Sequence, residues 1–420
     1  MKLNISKLFT STFVLVAAAG MLAACNKDLP AAVPITQPAP SGSSITEAVS
    51  NDPNLSILKA AIARAGTSLT ALTSDKSGVF TFFAPTNAAF QAIGITSDAM
   101  LAAFRPGQLD TILKYHLIGG QKLSSSVISE SFPNLQEPSS FVLAPPSASL
   151  PPGLRMPIFP SKRGSNLFLN NIPVTQADID VANGVIHKIA IVAIPPSQYL
   201  WNRIDTAADL TYFKAAILRA DSGSTAATSL KAALLNPAAN LTAFAPTNTA
   251  FQQILTAQIT QALLPLVTQQ IIQQAIAGGA TPDEAAALAA AQAPAVAQTQ
   301  ATALASTPDV FQNPALFGAL SAQTVKGLVV YHLLGVRAFT VNFPTTPTNV
   351  TTLLNTAIPA HPGVVLQATF GQTGVTAATV KGAANASASN LLINPLPGGT
   401  SDQNYINGVL HKIDQVLRPQ

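Results

Sequence analysis

The sequence predicts a mixed α+β chain built from two copies of one domain, and two observations carry that expectation. Four segments recur in the same order in the two halves, and each copy runs from helical periodicity through a buried strand to a strand-rich end. The composition allows it: 420 residues suggest two to three domains, and a hydrophobic share of 48% supplies sizeable cores. Charged residues make up only 10%, against a globular norm of roughly 25%. Whole-chain disorder is excluded, because it requires low hydrophobicity and high net charge. A multi-pass membrane protein is excluded by the lack of a second long apolar run. The formal charge is +4 and Lys and Arg are scattered singly, so no basic stripe is present to neutralise a nucleic acid.

The chain opens with an address. Lys2 and Lys7 precede a mostly apolar stretch, Leu8 to Ala24, and Cys25 follows directly. A basic start, an apolar centre and small residues before a cut site describe a secretory signal peptide, here 1–24. The run is short and broken by Thr10, Ser11, Thr12 and Gly20, which disfavours a transmembrane helix. Leu22-Ala23-Ala24-Cys25 resembles a bacterial lipobox, which implies that Cys25 becomes the acylated N-terminus. It is the only cysteine, so no intramolecular disulfide forms. Several acyl chains anchor stably where one holds only marginally. Residues 25–44 then read as the lipidated cysteine and a tether, with Pro30, Pro34, Pro38 and Pro40 favouring extended polyproline II. Asn26 stands where an Asp resembles an inner-membrane retention signal, which points to the outer membrane.

The repeat is explicit. Asn54–Ala65 reappears as Asp209–Ala220, with Leu55, Leu58 and Ile62 on one helical face and Leu210, Phe213 and Ile217 on the other copy's. Thr81–Phe90 returns as Thr242–Phe251 with eight of ten positions identical, a buried strand stopped by proline and then Thr86-Asn87 or Thr247-Asn248 to cap the next helix. Tyr115-His116 returns as Tyr331-His332, and Asn183–Ile189 as Asn407–Ile413. Asn183-Gly184 and Asn407-Gly408 signal a tight turn leading into a strand. The domains are therefore expected at 45–197 and 198–420, joined near Pro195-Pro196-Ser197.

The copies differ in the middle. Asn87 to His116 spans 29 positions and Asn248 to His332 spans 84, so the second copy carries an insert at about 256–306. It is rich in Ala, Gln, Ile and Leu with almost no charge. Gly278-Gly279 reads as a helix stop, and Thr281-Pro282-Asp283-Glu284 as the next start with a capping box, so the insert is expected to be helical.

The three motifs Phe-Ala-Pro-Thr-Asn, Tyr-His and Asn-Gly-Val-(Ile/Leu)-His-Lys-Ile, in order and twice, resemble the fasciclin domain. The resemblance implies two tandem fasciclin-like domains, each a twisted β-sandwich or wedge with helices packed along one edge. It also implies a non-catalytic cell-surface protein, lipid-anchored to the envelope, that adheres to cells, matrix or glycan. The alternative is a periplasm-facing accessory lipoprotein that captures a small apolar ligand. The departures from the family pattern, the insert and the Pro-rich stretch Pro133 to Pro160, both fall near surfaces a partner could use.

The histidines have two readings. The resemblance makes Tyr115-His116 and Tyr331-His332 a ligand-contact surface. The bland reading buries each ring and pairs it with Asn87 or Asn248, whose amide matches a neutral imidazole, and the flanking Ile112, Leu113, Leu117 and Ile118 favour it. His187 and His411 close the second box. No metal or cofactor is expected, since no His-x-x-x-His spacing or carboxylate cluster accompanies the histidines. Neither a Gly-x-Ser-x-Gly elbow nor a phosphate-binding glycine loop occurs, and Asp178 with Asp180 suits a strand edge and turn as readily as catalysis. The expected partners are the membrane, through the lipid, and an extracellular protein or polysaccharide.

Overall fold

The computed structural model describes residues 41–147, 152–225, 228–371 and 374–420. The expected signal peptide, the Cys25 lipidation site and the tether as far as Pro40 lie outside the described residues. Ser44, assigned to the tether by its composition, belongs to the fold. Its side chain accepts from Glu47 N at 3.3 Å, Glu47 accepts from Ser44 N at 2.7 Å, and this capping box opens the helix Ile45–Asn51. Residues Ser41–Gln420 form one compact unit.

In the first half the strands are β1 (Phe80–Pro85), β2 (Leu117–Gly119), β3 (Glu137–Ala144), β4 (Leu154–Ile158), β5 (Pro160–Arg163), β6 (Asn166–Leu169), β7 (Ile172–Val181) and β8 (Gly184–Ile189). They form one sheet in the order β4-β3-β2-β1-β8-β7-β6-β5. The second half adds β9 (Leu241–Pro246), β10 (Leu333–Leu334), β11 (Thr348–Val350), β12 (Val364–Gly371), β13 (Gly374–Lys381), β14 (Ser389–Asn390), β15 (Gln403–Tyr405) and β16 (Gly408–Ile413). Here the orders are β10-β9-β16-β15 and β11-β12-β13-β14. The arrangement β2-β1-β8-β7 of the first half is thus matched strand for strand by β10-β9-β16-β15. In both, the proline-stopped strand pairs parallel with the strand of the Asn-Gly box, Phe80 opposite Gly184 and Leu241 opposite Gly408.

A strand whose successive side chains point to opposite faces can sit between two cores. β1 does so: Phe80, Phe82 and Ala84 face the helices Ile45–Asn51, Ser56–Ala65 and Pro106–Tyr115, while Phe83 faces Tyr115, Met156, Ile158 and Leu169. β9 repeats the division, with Ala243 and Ala245 on the helical side and Phe244 against Leu366 and Val380. This explains the unbroken apolar run of the motif. The fold is a mixed α+β wedge, occurring twice, with helices on one side of each central sheet.

The amphipathic segments form the helices Ser56–Ala65 and Thr211–Ala220, and Leu55, Leu58, Ile62, Leu210, Phe213 and Ile217 are all buried. The stretch Pro133 to Pro160, expected near a surface a partner could use, is exposed at Leu135 and Val142 and buried at its end. It supplies β3 and β4, and Phe159 at its end is fully buried against the second half. The insert is a helical hairpin, Asn248–Ala277 and Pro282–Leu304. Its first arm is continuous with the helix that Thr247 caps, and it runs through Pro265 without ending. The second arm starts at the Thr281–Glu284 capping box and buries Ala285, Ala289, Ala293, Ala297 and Ala301, one small residue per turn, against the first.

Candidate functional site

The repeated polar boxes are where chemistry would be expected, and their geometry is the same in both halves. His116 follows the helix Pro106–Tyr115 and is fully buried. Its Nδ1–H donates to Ile112 O at 2.7 Å and its Nε2 accepts from Ala193 N at 2.9 Å. His332 does the same with Leu328 O at 2.8 Å and Leu417 N at 2.9 Å. Burial pushes both imidazoles down to about 4, so they are neutral at physiological pH. The expected pairing with Asn87 and Asn248 is corrected: each ring finds one backbone partner on the helix before it and one on the segment after β8 or β16. A ligand-contact role for these rings has no exposed atom to work through.

The asparagines act elsewhere. Thr86 caps the helix Asn87–Ala92 by accepting from Ala89 N at 3.2 Å. Asn87 reaches back to the start of Ser56–Ala65, accepting from Ile57 N at 3.0 Å and donating to Pro53 O at 3.0 Å. Thr247 and Asn248 repeat this on Ala250 N, Tyr212 N and Ala208 O. One box therefore caps two helices, its own and the preceding one.

His187 and His411 take the opposite tautomer. His187 Nε2–H donates to Leu123 O at 2.8 Å while Nδ1 accepts from Asp178 N at 3.3 Å. For His411 the partners are Ala338 O at 2.9 Å and Asp402 N at 3.1 Å. Burial lowers both pKa values. Asp178 and Asp402 hold left-handed backbone, φ 59° and 52°, and their carboxylates accept from Ser125 N and Thr340 N respectively. Asp178 and Asp180 do not converge: Asp180 pairs with Lys122 at 2.8 Å and is 74% exposed.

The Asn-Gly boxes make the expected tight turn into a strand. The turn is Ala182-Asn183, and Gly184 already pairs with Val181 in the strand. Asn183 ties that turn to the helices, accepting from Ile45 N at 2.8 Å and donating to Thr73 O at 2.9 Å. Gly184 has φ +139°, and a Cβ there would lie 1.8 Å from Phe80 O, so the close parallel strand demands glycine. At Gly408 a Cβ would meet Leu241 O at 2.6 Å. Asn407 accepts from Leu200 N at 3.0 Å, but its buried Nδ2 has no hydrogen-bond partner among the described residues.

Tyr115 and Tyr331 separate the two copies. Tyr331 donates its hydroxyl to Gly363 O at 2.6 Å and accepts from Ala383 N at 2.9 Å, within its own half. The Tyr115 hydroxyl accepts from Asn170 Nδ2 at 3.3 Å and from Asn404 Nδ2, across the halves, at 3.2 Å. Beside it lies Arg337, which the sequence reading missed. It is fully buried without a carboxylate partner, donating to Asn240 and Asn404 side chains and to the Tyr405 and Ile406 carbonyls, with its guanidinium 4.9 Å from the Phe159 ring. Burial brings its pKa down to about 10, which leaves it charged. Arg163 mirrors it, donating to Val341 O at 2.7 Å and lying 3.8 Å over the Phe370 ring. Recognising Arg337 in the sequence would have required aligning it with Lys122.

Two surface grooves of about 350 Å³ occupy corresponding places, one lined by Ala60, Arg64, Asp98 and Leu101, the other by Ala215, Leu218, Arg219 and Phe317. Both are open to solvent. Each arginine also works as a strut, Arg64 to Ala102 O and Phe104 O and Arg219 to Leu320 O. Among the described residues no group of three or more His, Cys, Asp or Glu side chains is placed to hold a metal ion, and no helix is long and apolar enough to cross a membrane.

A wedge that occurs twice, with repeated polar boxes spent in bracing the fold, is the architecture of a fasciclin-type protein. The fasciclin domain model matches residues 53–195. The chain is 30% identical over 158 residues to the protein sll1483 of Synechocystis, covering 76% of that protein and 37% of this chain. It is 34% identical over 176 residues to transforming growth factor-beta-induced protein ig-h3 of Sus scrofa, 41% of this chain but only 22% of that protein's length. It is 29% identical over 161 residues to the cell surface glycolipoprotein MPB83 of Mycobacterium bovis, 37% of this chain and 61% of that one. Among solved structures, the FAS1 domain pair of the insect cell adhesion molecule Fasciclin I aligns over 86% of this chain and 96% of that chain at 14% identity, with a TM-score of 0.29. The chain belongs to the fasciclin family.

Proposed function

We propose that the protein is a non-catalytic, lipid-anchored cell-surface protein whose fasciclin domains, at 45–197 and 198–420, mediate adhesion to cells, matrix or glycan. The observation that carries this reading is that the titratable groups of both histidine boxes are spent in internal hydrogen bonds, which leaves the molecule only its outer surface for contacts. The lipobox-like Leu22–Cys25 and a relative named as a cell surface glycolipoprotein support the location. The open grooves suit a polymer or protein partner better than capture of a small apolar ligand, which favours enclosed apolar pockets. The anchor is Cys25, on the outer membrane, with the domains facing outward.

The test displays the full chain on cells, beside Cys25→Ser and a chain lacking 198–420, and scores retention on polysaccharide-coated and protein-coated surfaces. Adhesion that needs both the anchor and the second domain supports the reading. Full-length display that adheres no better than an unrelated lipoprotein overturns it in favour of ligand capture, and a Cys25→Ser protein that stays in the membrane fraction at unchanged mass removes the anchor.

A further inference from the structure

Hydrogen bonds align the two halves more finely than sequence does. Thr81 Oγ1 donates to Gln121 O and accepts from Leu123 N, and Thr242 Oγ1 does the same with Val336 O and Ala338 N. Ser125 N and Thr340 N donate to Asp178 and Asp402. These anchors make Lys122 the counterpart of Arg337, Ser124 of Phe339, Ser126 of Val341 and Asp180 of Asn404.

The same face of the domain therefore carries two different sets. In the first half Lys122 and Asp180 form an exposed ion pair, 45% and 74% accessible, and Ser126 is exposed too. In the second half Arg337 and Phe339 are fully buried and Val341 is 6% exposed. The first half packs directly on them, through Phe159 and Phe168. Phe339 packs on Phe159 at 5.7 Å between ring centroids, and its N–H donates to Asn134 Oδ1 at 3.0 Å. Arg337 lies over the Phe159 ring, and Asn404 bridges Arg337 to the Tyr115 hydroxyl. Asn342 Nδ2 donates to Ser131 O at 3.2 Å.

We infer that Arg337, Phe339, Val341 and Asn404 are a one-way docking face whose partner is the first half of the same chain, and that the joint makes residues 41–420 a single cooperative body. Polar residues at the four corresponding positions keep the first half's own face solvated. An Arg without a carboxylate suits this joint. The planar fork meets four oxygen acceptors while its face stacks on an aromatic ring, which a lysine ammonium does not reproduce. A face so built pairs head to tail, and head-to-tail contacts propagate unless one end is closed. Lys122, Ser124, Ser126 and Asp180 close it.

The test writes the first-half set into the second half of the full-length chain, Arg337→Lys, Phe339→Ser, Val341→Ser and Asn404→Asp together. The wild-type chain should melt in one calorimetric transition whose van't Hoff and calorimetric enthalpies agree. The variant should keep its circular dichroism, melt in two resolved transitions, and be cut by thermolysin between residues 190 and 199 about tenfold faster. Phe339→Ser alone replaces the quadruple variant if the latter does not fold, and is read the same way. Two transitions in the wild type, or an unchanged single transition and cleavage rate in the folded variant, overturn the inference.

Discussion

At the scale of single residues, burial holds four histidines neutral, and every ring nitrogen of the four has a backbone partner. His116 and His332 donate through Nδ1 and accept through Nε2, so a second proton on Nε2 faces an N–H and has no acceptor. Their folded pKa of about 4 lies below the ordinary 6.5, so between those values the unfolded chain binds more protons than the folded one. Stability is then complete above about 6.5, falls as pH drops toward 4 and levels below, by roughly 3 kcal/mol per ring. Denaturant melts from pH 7.5 to 4 should show this slope, with proton uptake on unfolding in calorimetry; a flat profile across that window contradicts the buried, doubly bonded assignment. The sequence disclosed which histidines matter and, through Ile112, Leu113, Leu117 and Ile118, that they are buried. It could not disclose the partners, because Ala193 N and Leu417 N are main-chain groups that any residue would supply.

Elements show the same mixture. The helix Ser56–Ala65, the proline-stopped strand and the Thr281 cap were legible because each rests on a local rule: 3.6-residue spacing, a continuous apolar run, or a Thr-x-x-Glu box. Strands β3 to β6 were not, since Pro138, Ser139, Ser140 and Pro157 blur their alternation and neighbouring strands, not the local sequence, hold them. The hairpin insert was read as helical, and the structure adds that its first arm is one continuous helix with the segment starting at Asn248. Its packing divides it in two. Val267, Ala293 and Ala297 form a satellite cluster with Leu263 and Ile271, whereas Leu255, Ile259, Ala301 and Ala305 belong to the main core of the second half. Replacing 264–296 by a short Gly-Ser turn should change the melting temperature of the chain little. Extending the excision to 255–305 strips four core residues and the Tyr212 bond to Ala305 O, at a cost of about 3 kcal/mol or more. Equal losses from the two excisions would show that the outer arm also supports the core.

For the whole molecule, the decisive property is how little charge it uses. Among the described residues six ion pairs with lysine are formed, and four of them, Lys76–Glu47, Lys114–Asp110, Lys122–Asp180 and Lys214–Asp205, are partly or largely solvent-exposed. Pairs of that kind contribute about 0–1 kcal/mol each and are screened within ~10 Å at 0.1 M salt. Lys188–Asp52 and Lys412–Asp209 are better shielded on the lysine side and stand at corresponding places, each tying the end of the Asn-Gly strand to the start of the first long helix. The joint between the halves adds two arginines bound to carbonyls and aromatic rings, Arg337 fully buried and Arg163 half-buried, and salt does not reach the first of them. Stability should therefore rest on apolar burial. Raising sodium chloride from about 0.05 to 0.5 M should leave the melting temperature nearly unchanged, because the exposed pairs are weak from the start. Ammonium sulfate at equal ionic strength should raise it, since excluded salts strengthen apolar burial without depending on charge pairs. A steep fall of the melting temperature in sodium chloride would mean that the corresponding Lys–Asp ties carry the fold. That outcome would be localised by Lys188→Met and Lys412→Met, each of which should then weaken the salt dependence of the melting temperature.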